Sequence, residues 1–490
     1  MTSEANPQEY TAVSRRILSA VEVHSIDYVP ENERHAKVWQ QVPFWFLGNF
    51  QPLTVSIGFI GPAMGLSLGW TIVAAAMGIV FGTLFMAFHG TQGPVLGLPQ
   101  MVQSRAQLGH RGVGIALIGV VFAFIGSSVL ITIIMKVGFE SIMGWNAAAV
   151  GTLSLVVATV LAIYGHDWLH RVFRISLLIS LPFWLIISVY ILTGSAGGTA
   201  TASSGGFVVA AFAVQFTVSA AYNISYAPAV SDYTRYLPRD TPVGPVMSSV
   251  FFGAAASPIW LIAIGAWLSS RLAATDPLEG LYTLGNQVFS GFGLAFVLVA
   301  VVPLVAAMGL NQYSAMLGLL TGVDSVRPVE ISRRTRVVSL VVLGIVVFVF
   351  GVVLLSTVTS VVMAVLQLTA YLLVPWSAVN LIDFYFVRRG TYAITDLFLA
   401  GGVYGLWSWR GLASYMLGLA SMVPFVALSF YSGPIATALN GVDIAVFVGL
   451  LVTSAAYFPL MRAADLSGEV DAVARSDREL GRKSSSHARA

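Results

Sequence analysis

The sequence predicts an all-α polytopic membrane protein of twelve transmembrane helices. Three observations predict this class. Of 490 residues, 57% are hydrophobic and 10% charged, whereas a soluble domain carries about 25% charged residues. The mean hydropathy is +0.83, more apolar surface than a water-soluble fold can hide, so lipid is the solvent for most of it. The apolar residues also fall into runs of the length that spans a bilayer as a helix, about 20 residues. They lack the ten-residue alternation of barrel strands.

The runs follow one another as spans 1 to 12, at 42–66, 70–90, 113–138, 147–164, 175–193, 207–229, 246–269, 291–320, 337–356, 360–386, 411–430 and 442–461. Spans 9 and 10 are nearly continuous, with only Ser356, Thr357, Thr359 and Ser360 marking a turn. The domain plan is an N-terminal tail (1–41), a first five-helix repeat (42–193), a second, inverted one (207–386), helices 11 and 12 (411–461) and a disordered tail (462–490). The tail stretch SGEVDAVARSDRELGRKSSSHARA has no apolar face to bury. GSAGGTATASSGG (194–206) reads as a flexible external loop.

Of 25 Lys and Arg, only Lys136 and Arg271 lie on one side of this arrangement. Basic residues concentrate in cytoplasmic loops, so both termini are expected in the cytoplasm and the protein in the cytoplasmic membrane. Residues 1–40 are polar, with no signal peptide, and span 1 serves as its own insertion signal. There are no cysteines, which excludes disulfides, thiolate metal sites and cysteine nucleophiles. A net charge of +3 with scattered basic residues gives no support for nucleic-acid binding. No protein partner is evident.

Amides and repeated Gly and Pro inside a membrane helix suggest that it lines something. Span 1 reads PFWFLGNFQPLTVSIGFIGPAMG. Its Pro52 removes one backbone bond and frees the carbonyl of Gly48, beside Asn49 and Gln51. Span 6 carries Asn223, Ser225 and Pro228 in AAYNISYAPAV. Interrupted helices at corresponding places of two halves point to a transporter site. Gln51 is 14 residues from Lys37, roughly 21 Å into a hydrocarbon layer of about 30 Å. Asn223 lies roughly 13 Å in, and Asn311 of span 8 and Phe124 of span 3 each roughly 20 Å, so all four fall near the mid-plane. Amides and aromatic faces at one depth suit a flat heterocycle, whose ring stacks and whose N–H and C=O edge is read by amides. The plainer alternatives are interhelical bonds for the amides, core packing for Phe124, and bonds to their own helix for Ser127 and Ser128.

No Asp or Glu lies deep in a span, so a carboxylate relay is not expected. Lys136, near the external end of span 3, is expected to reach outward to the interface. Asp232 and Arg235 are expected to brace the inner end of span 6. His166 and His170 have i,i+4 spacing but no third or fourth zinc ligand, and a loop face is the simpler reading. There is no HExxH, P-loop or GxSxG motif. No enzyme is expected, and no cofactor beyond a coupling cation.

Four stretches carry a resemblance: PENERHAKVWQQVPFWFLGNFQ, GPVLGLPQMVQSRAQLGHRG, YAPAVSDYTRYLP and YLLVPWSAVNLIDFYFVRRGTYAITDLF, in order over about residues 30–400. Together they make the chain similar to the nucleobase:cation symporter family of cytosine, purine, uracil, thiamine, allantoin and hydantoin permeases. It looks most like the purine/cytosine branch. The resemblance implies a leucine-transporter-like fold of two inverted five-helix repeats plus helices 11 and 12, alternating access and cation symport, with substrate contacts from helices 1, 3, 6 and 8. By position it implies contacts at Gln51, Phe124, Ser128, Tyr222, Asn223 and Asn311. Phe124 stands where relatives place a stacking Trp, and Ser128 near a Gln, which makes hydantoin itself a poor fit. Sodium-coupled relatives place two hydroxyl residues on helix 8. Here the run is VVPLVAAMGLN, leaving only backbone carbonyls near Leu47 and Phe50 for a cation. Proton coupling is therefore expected over sodium, with no carrier residue identified. The expected function is import of a purine or pyrimidine base by cation symport. The alternatives are a related heterocycle (allantoin, hydantoin, thiamine) or an amino acid or osmolyte on the same fold.

Overall fold

The computed structural model describes residues 26–164, 166–198, 206–327, 332–355 and 357–482. The expectations for residues 1–25, for most of the 194–206 loop, for the side chains of His166 and His170 and for the last eight residues lie outside this set. Among the described residues, nine helices are long and apolar enough to cross a membrane. They correspond to spans 2, 3, 4, 5, 7, 8, 9, 10 and 12. The other three predicted spans are present as shorter or interrupted helices.

Span 1 comprises the helices Gln41–Gly48 and Pro52–Ile57, separated at Asn49–Gln51. Gln51 is extended (φ −155°, ψ 159°) with Pro52 at the first helical position. A proline ring clashes with a helical residue before it and has no N–H to give, so the chain must leave the helix here. Span 6 runs as a helix over Val209–Ile224, loosens at Ser225 and Tyr226, passes through a tight turn at Ala227–Ala229 with Pro228, and resumes at Val230–Thr234. Span 11 is shorter than the hydropathy suggested: its helix ends at Met422, Pro424 blocks continuation, and a small hairpin pairs Ala427–Leu428 with Tyr431–Ser432.

Spans 1, 2, 6 and 7 pack on one another, and spans 3, 4, 8 and 9 form a second group. Span 10 lies against spans 3, 6 and 12, and span 11 against span 12. Small residues allow the close crossings. A Cβ added to Gly265 of span 7 would sit 1.9 Å from the Val55 carbonyl oxygen of span 1, so the two backbones touch, as small residues permit in membrane interfaces.

Four features depart from expectation. Span 9 ends in a π-helical segment, Phe348–Leu354, before span 10 begins at Val358. Lys136 does not reach outward. It is buried and donates to the carbonyls of Val352 and Leu355, because a terminating helix leaves carbonyls that need donors. An amphipathic helix, Pro277–Val288, packs between spans 7 and 8 against span 3. The segment Ser467–Glu479, expected to be disordered, is a helix. Arg388 donates to both Glu469 oxygens at 2.7 Å, and Arg475 pairs with Asp396 at 3.0 Å. Ion pairs thus dock a segment whose apolar content alone would not.

Candidate functional site

The site is built around the interruption in span 1. Gln51 is fully buried, and its Nε2 donates to the Gly48 carbonyl at 3.2 Å, the acceptor that Pro52 leaves open. Its Oε1 is buried with no hydrogen-bond partner among the described residues. The helix Pro52–Ile57 touches spans 3, 8 and 10. On span 8, Asn311 is 1% exposed and its Nδ2 is likewise without a partner among the described residues. Buried polar atoms are nearly always paired, so an orphaned acceptor and an orphaned donor require an explanation.

Aromatic rings gather around the break in span 6. Tyr226 lies at its centre, with ring centroids 6.0 Å from Tyr222, 6.2 Å from Trp45 of span 1 and 6.4 Å from Phe124 of span 3. Tyr222 shares a 2.7 Å hydrogen bond with Thr54. Rings at these separations and inclinations form a continuous apolar wall. A small cavity lies beside Phe124 toward the basic face, between Val120, Pro228, Asp232, Ser314 and Thr321, and Gln51, Asn311, Tyr222 and Tyr226 do not line it.

Two residues from the sequence reading are spent elsewhere. Asn223 is fully engaged: Nδ2 donates to Thr83 (2.6 Å) and to the Ala254 carbonyl (3.0 Å), and Oδ1 accepts from Asn49 (3.1 Å). It ties spans 1, 2, 6 and 7 together, the plainer reading of a membrane amide. The Ser128 hydroxyl donates to the Phe124 carbonyl of its own helix at 3.0 Å. Of the cation candidates, the Leu47 carbonyl accepts from the Phe50 N–H at 3.1 Å. The Phe50 ring packs on Phe46, Trp184 and Trp260. Val305, Ala306 and Ala307 bring no side-chain oxygen to that region. Among the described residues no cluster of three His, Asp or Glu is placed for a metal.

Trp45, Thr54 and Tyr226 were not singled out from the sequence. Tyr226 had a signal, since it sits in the proline-interrupted stretch of span 6. Trp45 had none, because an aromatic residue early in span 1 reads equally as an interfacial anchor.

Charged networks close the basic face. Arg105 pairs with Asp324 at 2.7 Å and donates to the Thr321 and Leu397 carbonyls. Burial lowers the Arg105 pKa, and Asp324 opposes this. Asp383 receives Gln107, Arg388, Tyr392 and Tyr457. Asp232 accepts the Gln100 N–H at 2.9 Å and Arg235 donates to the Asp232 and Asp27 carbonyls, the bracing expected of this pair.

A family described as permeases for cytosine/purines, uracil, thiamine and allantoin matches residues 28–449. YxlA of Bacillus subtilis (strain 168), assigned as a purine-cytosine permease, is 32% identical over 448 residues, 90% of this chain and 96% of that protein. The purine-cytosine permease FCY2 of Saccharomyces cerevisiae is 25% identical over 270 residues, covering 52% of this chain and 49% of FCY2. Among solved structures, Mhp1, a nucleobase-cation-symport-1 family transporter in a closed conformation with bromovinylhydantoin bound, superposes with a TM-score of 0.72. The identity is 17%, and the match covers 94% of this chain and 99% of that one. The inward-facing conformation of Mhp1 gives 0.68 at 18% identity, covering 94% and 97%. With a match across most of its length, a breadth that no single motif supplies, this chain belongs to the family of membrane permeases for cytosine and purines, uracil, thiamine and allantoin.

Proposed function

We infer that this transporter imports a purine or pyrimidine base, with its basic face in the cytoplasm and a proton as the coupling ion. The observation that carries the reading is the pair of orphaned amide atoms, Gln51 Oε1 and Asn311 Nδ2. One accepts and the other donates, the complement of a ring edge that carries both N–H and C=O. Phe124, Tyr222 and Tyr226 supply the stacking faces. In this reading Asn223 and Ser128 hold the framework and do not read the guest. Helices 42–193 and 207–386 act as two inverted five-helix repeats whose broken first members, spans 1 and 6, meet at the site. Val305, Ala306 and Ala307 of span 8 carry no side-chain oxygen, where sodium-coupled relatives place hydroxyl residues, and this favours the proton.

Uptake of radiolabelled cytosine, adenine, hypoxanthine, uracil and allantoin into cells expressing the chain tests this. A base that accumulates should do so without sodium and fail with a protonophore. Gln51→Ala and Asn311→Ala should each weaken binding by about 3- to 10-fold, the loss of roughly one net hydrogen bond. Unimpaired uptake by Gln51→Ala, or accumulation of amino acids in place of bases, would overturn the reading.

A further inference from the structure

Thr54 lies in the second half of span 1 and Tyr222 in the first half of span 6, and both are buried. The Thr54 hydroxyl oxygen lies 2.5 Å from the Asn49 carbonyl and 2.7 Å from the Tyr222 hydroxyl. A carbonyl only accepts, so the single Thr54 proton lies on the bond to Asn49. The proton between Thr54 and Tyr222 is then the phenolic one. Tyr222 therefore donates to Thr54, and to its remaining neighbours it offers lone pairs alone.

Those neighbours are Gln51 and Tyr226. Gln51 already donates from Nε2 to the Gly48 carbonyl. Its second Nε2 hydrogen is the part of the amide that a phenol oxygen with a committed proton can hold. Acceptors on two sides thus turn the Gln51 amide, and Oε1 is left over, buried with no partner among the described residues. The backbone keeps the parts in register. The Thr54 N–H donates to the Gln51 carbonyl at 3.0 Å, and the Gln51 N–H donates to the Asn49 carbonyl at 3.1 Å. A directed chain of hydrogen bonds therefore joins the two interrupted spans, running from the Gln51 amide through Tyr222 and Thr54 to the break at Asn49.

We propose that Thr54 is a positioning residue for substrate: by drawing the Tyr222 proton to itself it holds the Gln51 amide with Oε1 available to the guest. The inference rests on the proposed role of Gln51 in reading the base and adds the residue that keeps Gln51 an acceptor. The group of the guest that meets Gln51 is then a donor, a ring N–H or an exocyclic amine. Without the Thr54 hydroxyl, the phenolic proton has two neighbours to turn to. A carboxamide oxygen accepts more strongly than a phenol, so the proton goes to Gln51 and not to Tyr226. Tyr222 then occupies Oε1, and the guest loses its acceptor.

Equilibrium binding of radiolabelled cytosine, adenine, hypoxanthine, uracil and allantoin to the purified full-length protein tests this. Thr54→Val keeps the shape and removes the hydroxyl. Thr54→Ala is the second variant, should the first misfold. Either should weaken the compounds that bind by about 3- to 10-fold, the loss of roughly one net hydrogen bond. In that background Gln51→Ala should cost nothing further, because the two changes remove the same contact. Thr54→Ser keeps the chain of bonds and should bind as wild type does. The decisive readout is recovery. Tyr222→Phe keeps the ring and removes the proton that occupies Oε1, so Thr54→Val combined with Tyr222→Phe should regain most of the lost affinity. A threonine that merely packed would give no such recovery. Thr54→Val or Thr54→Ala that binds as wild type does overturns the proposal, as does a weakness that Tyr222→Phe leaves in place. Wild type that binds none of the five compounds overturns the base-transport reading itself, a different result, and this role falls with it.

Discussion

At the residue scale, what matters is whether a buried polar atom is already spent. Gln51 and Asn223 look alike in sequence: each is an amide in a proline-interrupted span. Gln51 Oε1 has no partner among the described residues, while Asn223 has both its amide group and its carbonyl engaged on three other spans. Asn223→Leu should therefore act on stability. Asn49 Nδ2 and Thr83 lose a buried partner, which costs about 1–3 kcal/mol, read as a lower melting temperature in detergent, with the bases that bind left in the same rank order. The break at Gln51 was legible because the following proline ends the helix whatever its surroundings. The exhaustion of Asn223 was not, since its partners lie 31 to 174 positions away in the chain.

At the element scale, the helix Pro277–Val288 shows how a soluble-type rule operates beside a membrane. Asp276 caps it, accepting from the Leu278 and Glu279 N–H groups at 2.9 and 3.0 Å, with Pro277 at the first position. This Asp-Pro start is a standard helix signal, and it was readable in the sequence. What was not readable is that the cap is buried against span 3, with Oδ2 unpaired among the described residues. Burial pushes the Asp276 carboxyl up from 3.8 to about 7, with the cap bonds opposing. A raised acid holds its proton in the folded state over a range where the unfolded chain has released it. Stability should therefore fall as pH rises from about 4 to about 7 and then level off. Asp276→Asn keeps a capping oxygen and removes the titration, so its melting temperature should change less across that range and exceed wild type at pH 8.

At the scale of the whole molecule, the basic face is closed by a network that joins elements distant in sequence. Arg388 links Asp383 at the end of span 10 to Glu469 in the C-terminal helix, and Arg475 links that helix to Asp396. Glu469→Lys places two like charges together and removes charge-assisted bonds of about 1.5–3 kcal/mol. Hydrogen exchange over residues 467–479 should then rise toward that of a free peptide, while spans 2, 3 and 8 stay protected. Unchanged exchange there would show that the helix is held by other contacts.

The sequence by itself determined the solvent of this protein, its helical class, the breaks in spans 1 and 6 and its family. These follow from local facts: run length, proline sterics and motifs that survive in chain order. Only the tertiary structure decided which amides remain open, that Lys136 caps the end of span 9, that Thr54 meets the Tyr222 hydroxyl and that the C-terminal segment folds. Each of those depends on a partner brought from far along the chain, and hydrogen-bond satisfaction is a property of the packed whole that no local pattern encodes.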